Sequence, residues 1–376
     1  MGSRTFVSHS LLDIVCQRMD TQHHPPKGQL MLSRIFTSAG FVAIFAPALF
    51  AQSKPLDIAK TDTHIEFRSG NKVVAKYHHA GTVQLEKGEG TKPLAKPYFY
   101  PLLSPNGTIV TRGWPIIRGT VGETTDHFHQ KSAWFCHGDV IPVGLELKTK
   151  SADKRVHGVD FWAESGGHGR IVCTKIAMPK NGSIETSNEW RTADGITILE
   201  ETRTITATET AVGRLFVLDI DLVANAYPIE FGDTKEGALG VRVNDAFRLN
   251  GPNSDGIVVS IDGKTSKAPA KDNLPLWGQV AAWHDYSGTA NGKIAGVAVF
   301  DHPSNAHKSA WHTRAYGLMA ANPFGRDGSG FPGVKGNKQL VKLAKGEHLK
   351  LRSGIYVHDG RTADGKVAEQ FALFCK

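Results

Sequence analysis

Cysteine is scarce in this sequence, four in 376 residues, and no Cys-x-x-Cys spacing occurs, which argues against a thiolate zinc site. Cys16 falls in an N-terminal leader, leaving Cys136, Cys173 and Cys375. An odd set allows at most one disulfide, and buried free thiols are the simpler reading. Long apolar runs are also missing: the one from Phe41 to Phe50 is shorter than the ~20 residues that span a bilayer. The formal charge of +8 comes with no Lys/Arg-rich run and no recognised nucleic-acid motif, so nucleic acid is set aside as a partner. There is no GxSxG elbow, no P-loop, and no GxGxxG opening a helix. Helical periodicity is almost absent before the closing "GKVAEQFALFCK".

What is present begins with the leader. Residues 31–51, "MLSRIFTSAGFVAIFAPALFA", combine one arginine, a short apolar run and small residues at Ala46, Ala48 and Ala51, the pattern of a secretory signal peptide. Residues 1–30 have no reason to precede such a peptide and read as a misassigned extension, with Met31 the initiator. Four Lys/Arg and two Asp leave with the leader, so the net charge falls from +8 to +6. The mature chain, 52–376, is expected to be exported, periplasmic or extracellular, with no membrane span.

From Thr63 onward the dominant period is two. "HIEFRSGNKVVAKYHH" alternates on both sides of Ser69-Gly70-Asn71 and reads as a hairpin. "GRIVCTKIAM", "GITILEETRTITATET", "RLFVLDIDLVA", "GALGVRV", "DGIVVSIDG", "KIAGVAVFD" and "LKLRSGIYVHDG" are short, β-branched and bounded by Gly, Asp or Asn. With no fixed repeat and no Pro/Ser-rich linker, the pattern predicts one all-β domain, a large antiparallel sandwich closed by a short C-terminal helix. "EKGEGTKPLAKP" is the most linker-like stretch, and "IPVGLELKTKSADKRVHG" and "DGSGFPGVKGNKQ" are long loops.

Three clusters can carry chemistry. "DHFHQKSAWFCHGD", Asp126 to Asp139, holds His127, His129 and His137. On a strand, His127 and His129 would share one face, with Cα atoms ~6.6 Å apart. Two metal ligands can be presented this way, so a divalent metal is possible, although no cofactor is assigned. The competing reading is acid–base chemistry, with Asp126 or Asp139 orienting an imidazole, Lys131 as a cation and Trp134 as an apolar platform for a sugar ring. A polar cluster that holds a loop is the third. "FDHPSNAHKSAWHTRAYGLMAANPFG" supplies His302, Trp311, His312 and Asn322 after an apolar strand, as a site wall or an ordered surface loop. "EFGDTKEGALGVRVN" supplies Glu236 and Arg242, as carboxylate and clamp or as a salt-bridged turn. Glu200 and Glu201 are adjacent, hence on opposite faces, and cannot flank one bond.

Taken in order, "KPYFYPLLSPNGTIVTRGWP", "DHFHQKSAWFCHGD", "GVDFWAE", "GDTKEGALGVRV", "DYSG" and "DHPSN…WHTRAYGLMAANPFG" resemble the PmoA family of exported bacterial proteins, in effect a domain of unknown function. Its methane-oxygenase label belongs to a polytopic membrane subunit, and no spanning run follows the leader here, so that activity is not expected. The resemblance implies a fold similar to the galactose mutarotase-like supersandwich, in which a histidine and a carboxylate act on sugars. This chain departs from the family pattern Asp-His-Pro-His-His at Phe128 and Gln130, and residues 140–157 intervene between the HGD segment and GVDFW.

The expectation is therefore an exported protein acting on a carbohydrate or modified sugar by His/carboxylate acid–base chemistry, as isomerase, lyase or hydrolase. The alternative is a non-catalytic carbohydrate-binding or cell-surface protein. His127, His129, Glu236 and His302 are the catalytic candidates. Lys131, Trp134, His137, Asp139, Arg242, Trp311, His312 and Asn322 are the substrate-binding ones.

Overall fold

The alternating runs become strands because β-branched and aromatic side chains fit a pleated surface that is buried on one side. A computed structural model of the protein describes residues 53–376, apart from Asn181 and Asn273; the signal-peptide segment 31–51 and residues 1–30 lie outside the described residues. Two antiparallel sheets dominate. One runs Arg170–Lys180, Ser183–Arg191, Thr197–Glu209, Gly213–Val223, His348–Asp359, Lys293–Asp301, Trp283–Ala290, Ile257–Ser260, Thr265–Lys267, with Lys54–Pro55 paired to Thr197–Glu209. The other runs Asp57–Lys60, His64–Ser69, Lys72–His78, Tyr98–Leu102, Ala133–His137, Gly237–Arg242, Leu318–Asn322, Ala310–Trp311.

The predicted hairpin at Ser69-Gly70-Asn71 forms, with Gly70 at φ 56, a left-handed conformation that glycine adopts without steric cost. The stretch read as linker-like instead closes a small hairpin, Thr82–Gln84 against Thr91–Pro93.

The sheets pack face to face. In Gly213–Val223, Phe216, Leu218, Ile220 and Leu222 point inward and are buried, while Val217, Asp219 and Asp221 alternate outward. Phe216 meets Phe67 and Phe99 of the opposite sheet at 5.4 and 5.6 Å between ring centroids. Each such side chain taken from water contributes about 1.5–3 kcal/mol. A polar network crosses the sandwich interior: Arg203 donates to Glu201 at 2.5 Å and to the Tyr77 hydroxyl at 3.1 Å, and Trp190 Nε1 donates to Glu201 at 2.7 Å. Glu200, next in sequence, is exposed on the outer face.

A C-terminal helix, Val367–Phe374, covers a second apolar cluster of Trp283, Phe300, Tyr356 and Phe374. No helix among the described residues is long and apolar enough to cross a membrane. Cys136 is a buried free thiol and Cys173 a half-buried one.

Candidate functional site

Three adjacent strands, Ala133–His137, Gly237–Arg242 and Leu318–Asn322, are held in register by antiparallel pairing. The segments flanking both ends of these strands wall a cavity of about 550 Å³, within the size range of small-molecule sites. His127 and His129 enter from the loop before the first strand, Asp139 from the turn after it, and Glu236 from the residue before the second. His312, Arg314 and Tyr316 come from the turn before the third.

The loop 143–158 adds Asp153 and Arg155, and the glycine-rich loop adds Gly328 and Ser329. That second loop is pinned by one carboxylate: Asp233 accepts from the backbone N–H of Arg326 at 2.8 Å, of Ser329 at 2.9 Å, and of Gly328.

His127 is oriented by a carboxylate. Its Nδ1 lies 2.9 Å from Asp126 Oδ2. The other oxygen of Asp126 accepts from Arg242 Nη2 at 2.8 Å and from Arg112 Nη1, and both guanidiniums are fully buried. Burial alone would raise the Asp126 pKa. The hydrogen bond to His127 and the two guanidiniums outweigh it and hold the carboxyl well below its ordinary range. The His127 ring stacks on Tyr316 at 4.8 Å, and the Arg242 guanidinium lies 4.6 Å from the centre of that phenol ring.

Glu236 is the opposing carboxyl group. Its pKa is raised, first by burial, while the charges of Lys235, His127 and Arg155 pull the other way. It lies 3.8 Å from His312 Nδ1, too long for a hydrogen bond. His312 is 3 % exposed and its Nδ1 has no partner. Burial, and next the charge of Lys235, lower its pKa to about 3, so the ring is neutral. Gly138 makes this packing possible, because a Cβ there would lie 2.8 Å from Glu236 Cβ and 3.0 Å from its carbonyl oxygen. Buried polar groups are normally satisfied, so an unpartnered His312 nitrogen beside an undonated carboxyl group marks a place where a ligand can bond.

A family described as "Family of unknown function (DUF6807)" matches residues 64–372. The chain belongs to this family. None of the curated proteins matches the sequence. Among solved structures, a galactose mutarotase-like protein from Clostridium acetobutylicum aligns with 81% of this chain and 99% of its own, at 9% identity and a TM-score of 0.36. The galactosidase domain of the alpha-galactosidase-sucrose kinase AgaSK aligns with 78% of this chain at 9% identity and a TM-score of 0.34. An alpha-galactosidase from Geobacillus stearothermophilus in complex with stachyose aligns with 82% at 9% identity and a TM-score of 0.31. The chain spans 42% and 41% of those last two chains. Similarity at these values leaves function to be argued from the site itself.

Of the residues expected at the site of this DUF6807 protein, His127, His129, Asp139, Glu236 and His312 line the cavity. Others stand elsewhere, for physical reasons. His127 and His129 are not on a strand, since His127 has φ 47, a left-handed conformation that ends β alternation. Their rings still meet edge to face at 5.8 Å. His302 lies away from the cavity, bonded to Ser304 Oγ at 2.6 Å and set against Phe374 of the C-terminal helix at 5.1 Å. Trp134 and Trp311 are 1 % and 0 % exposed: the first packs on Trp162, and the second stacks on His284 at 4.2 Å. Neither presents a face to a sugar.

Lys131 is buried on Glu164 at 2.7 Å. His137 is buried, with Nε2 2.8 Å from the Gly232 carbonyl oxygen. Burial lowers its pKa to about 4. Asn322 donates to the Thr234 carbonyl and accepts from Phe324 and Gly325 N–H, so it is a structural cap. Arg242 is buried behind the cavity, holding Asp126 and Gln130. Among the described residues no group of three or more His, Cys, Asp or Glu is placed to hold a metal ion.

Sequence reasoning passed over Arg112, Tyr316 and Asp160. The first lies in "TIVTRGWP" and the second in "WHTRAYG". An arginine and a tyrosine far apart in sequence carry no spacing signal, and only the fold shows them enclosing the Asp126–His127 pair.

Proposed function

We propose that this protein is an exported enzyme that takes a saccharide or modified sugar into the cavity and works on it by proton transfer, with His127 as general base and Glu236 as general acid. One observation carries the reading: a carboxylate-oriented imidazole and a carboxyl group pushed toward its neutral form by burial line the same cavity. An imidazole held by a carboxylate with its second nitrogen free suits the base role, and a carboxyl group favoured in its neutral form suits the acid role.

With Asp126 accepting from His127 Nδ1–H, the Nε2 lone pair is left as the proton acceptor. Glu236, protonated, donates to a leaving or carbonyl oxygen. His129 is half-buried, and burial, with the Lys96 charge next, keeps it neutral. It serves with Gln130 and His312 as a hydrogen-bonding wall. A hydroxyl-rich ligand matches a lining made mostly of charged and hydrogen-bonding side chains. Isomerisation, elimination and hydrolysis share this proton removal and donation.

The test is turnover of a broad glycan panel by the wild-type mature chain, followed by His127→Ala and Glu236→Gln. Each substitution is expected to lower kcat by about 10²–10⁴-fold while binding persists. A wild-type protein that binds sugars and turns none over is a binding protein, and the enzymatic reading then falls. Export is tested by fractionating cells that carry the chain with and without residues 31–51.

A further inference from the structure

The charged groups lining the cavity are unequally committed. Three carboxylates are spent on backbone N–H groups. Asp139 accepts from Gly158 at 2.7 Å, Asp160 from Trp162 and Ala163 at 2.7 and 3.0 Å, and Asp233 from the glycine-rich loop. Asp153 is held by Arg155 Nε and Nη2, the shorter contact 2.7 Å, and by the backbone of its own turn. The fifth carboxyl is Glu236, which burial favours in its neutral form.

The cations are in a different state. The Lys235 ammonium makes no hydrogen bond or ion pair with any described residue, while its charge acts on both Glu236 and His312. Arg155 is 86 % exposed and commits only two of its nitrogens. Arg314 donates Nη2 to Asp272 at 3.0 Å but keeps a buried Nε–H without a partner. Because the acids are bonded within the protein and the cations retain free donors, the charged groups left open to a ligand are N–H donors of Lys235, Arg155 and Arg314.

We infer that the ligand carries an anionic substituent, a carboxylate or sulfate on the sugar ring, which Lys235 binds with help from Arg155 and Arg314. The inference rests on the saccharide reading above and adds the substrate class: an acidic saccharide. Planar guanidiniums match the two oxygens of a carboxylate or sulfate, and the flexible ammonium supplies a movable point charge. The loop 143–158, which brings Arg155 to the cavity rim, becomes a specificity element.

The experiment is calorimetric titration of the mature chain with matched oligosaccharides of one linkage in neutral, uronate and sulfated forms. At least one acidic form is expected to bind about tenfold tighter than its neutral counterpart, with the gap narrowing as salt screens the charges. Lys235→Met should bring the acidic-to-neutral ratio toward one. Arg155→Gln, at an exposed position that does not threaten folding, should lower the ratio by a smaller factor. Equal binding of acidic and neutral forms, or a preference that survives both substitutions, overturns the inference. Binding of neutral forms alone removes it but leaves the saccharide reading standing, and no binding by any form removes both.

Discussion

Glu164 stands in the left-handed region at φ 53, and its carboxylate is aimed at two buried ammonium groups, Lys96 at 2.8 Å and Lys131 at 2.7 Å. Burial works to raise its pKa, but the two lysines win and hold the carboxyl well below its ordinary range. Burial in turn pushes Lys131 down to about 8 although Glu164 pulls upward. Removing the single anion leaves two buried cations facing each other. Glu164→Gln is therefore expected to destabilise the fold by about 3–5 kcal/mol, read as a lowered urea midpoint at neutral pH. The sign on the acid side follows from linkage. A carboxyl depressed in the folded state contributes fully above its unfolded pKa of ~4.3 and loses that contribution as pH falls below it. The gap between wild type and Glu164→Gln should thus shrink on acidification. A gap that is constant with pH would show that Glu164 is held by packing alone. In the cavity the same reasoning sets an activity profile. Glu236 must be protonated to donate, and burial raises its pKa while the Lys235 charge lowers it. Lys235→Met should move the alkaline limb of the kcat profile to higher pH, and an unmoved limb would remove Glu236 as the acid.

At the scale of elements, the cavity is built from loops fastened to strands by single side chains, and Asp233 is the clearest case. Three backbone N–H groups of the glycine-rich loop converge on it, and a Cβ at Gly328 would lie 2.7 Å from its Oδ2. Asp233→Ala should release the loop, seen as faster hydrogen exchange at residues 326–330 with the sheet strands unchanged, and should weaken ligand binding about tenfold. Unaltered exchange would mean that Arg326, whose guanidinium bonds the Pro323, Gly325 and Gln339 carbonyls, holds the loop by itself. This explains what could be read in the sequence. The strands announced themselves by alternation, because burial of one face imposes period two on the residues from Leu199 to Glu209. "DHFHQ" announced a polar centre by its density of imidazoles. Its geometry was hidden, because Arg112 and Arg242, which grasp Asp126 beside the positive-φ His127, belong to distant segments. Trp134 and Trp311 misled for the same reason: an indole on a strand looks the same in sequence whether it faces a ligand or the core.

Across the whole molecule the ten-stranded sheet is joined through pairs that no local pattern foretells. His348–Asp359 lies between Gly213–Val223 and Lys293–Asp301, and on it His358 is fully buried with Nε2 2.9 Å from Asp285 Oδ1 of Trp283–Ala290, two strands away. Thr362 donates to the other oxygen of Asp285 at 2.6 Å, which ties in the chain just before the C-terminal helix. The space around the imidazole is full, since a Cβ at Gly296 would lie 2.5 Å from His358 Cε1 and one at Gly365 2.1 Å from its Nδ1. Burial alone would lower the His358 pKa, yet the charge of Asp285, its hydrogen bond, and the neighbouring Asp359 carbonyl and carboxylate raise it. A histidine raised in the folded state contributes fully below its unfolded pKa of ~6.5 and loses that contribution as pH rises through the folded value. His358→Gln should therefore cost about 3 kcal/mol at pH values below ~6.5, and less as the pH is raised. The depressed Lys131 acts in the opposite direction, because above pH 8 the unfolded chain binds a proton there that the folded chain has lost. That contribution is common to wild type and variant, so the difference between their urea midpoints isolates His358. A difference that stays constant or widens with rising pH would show that the His358–Asp285 contact is a neutral hydrogen bond, and that the sheet is held at this point by packing instead of charge.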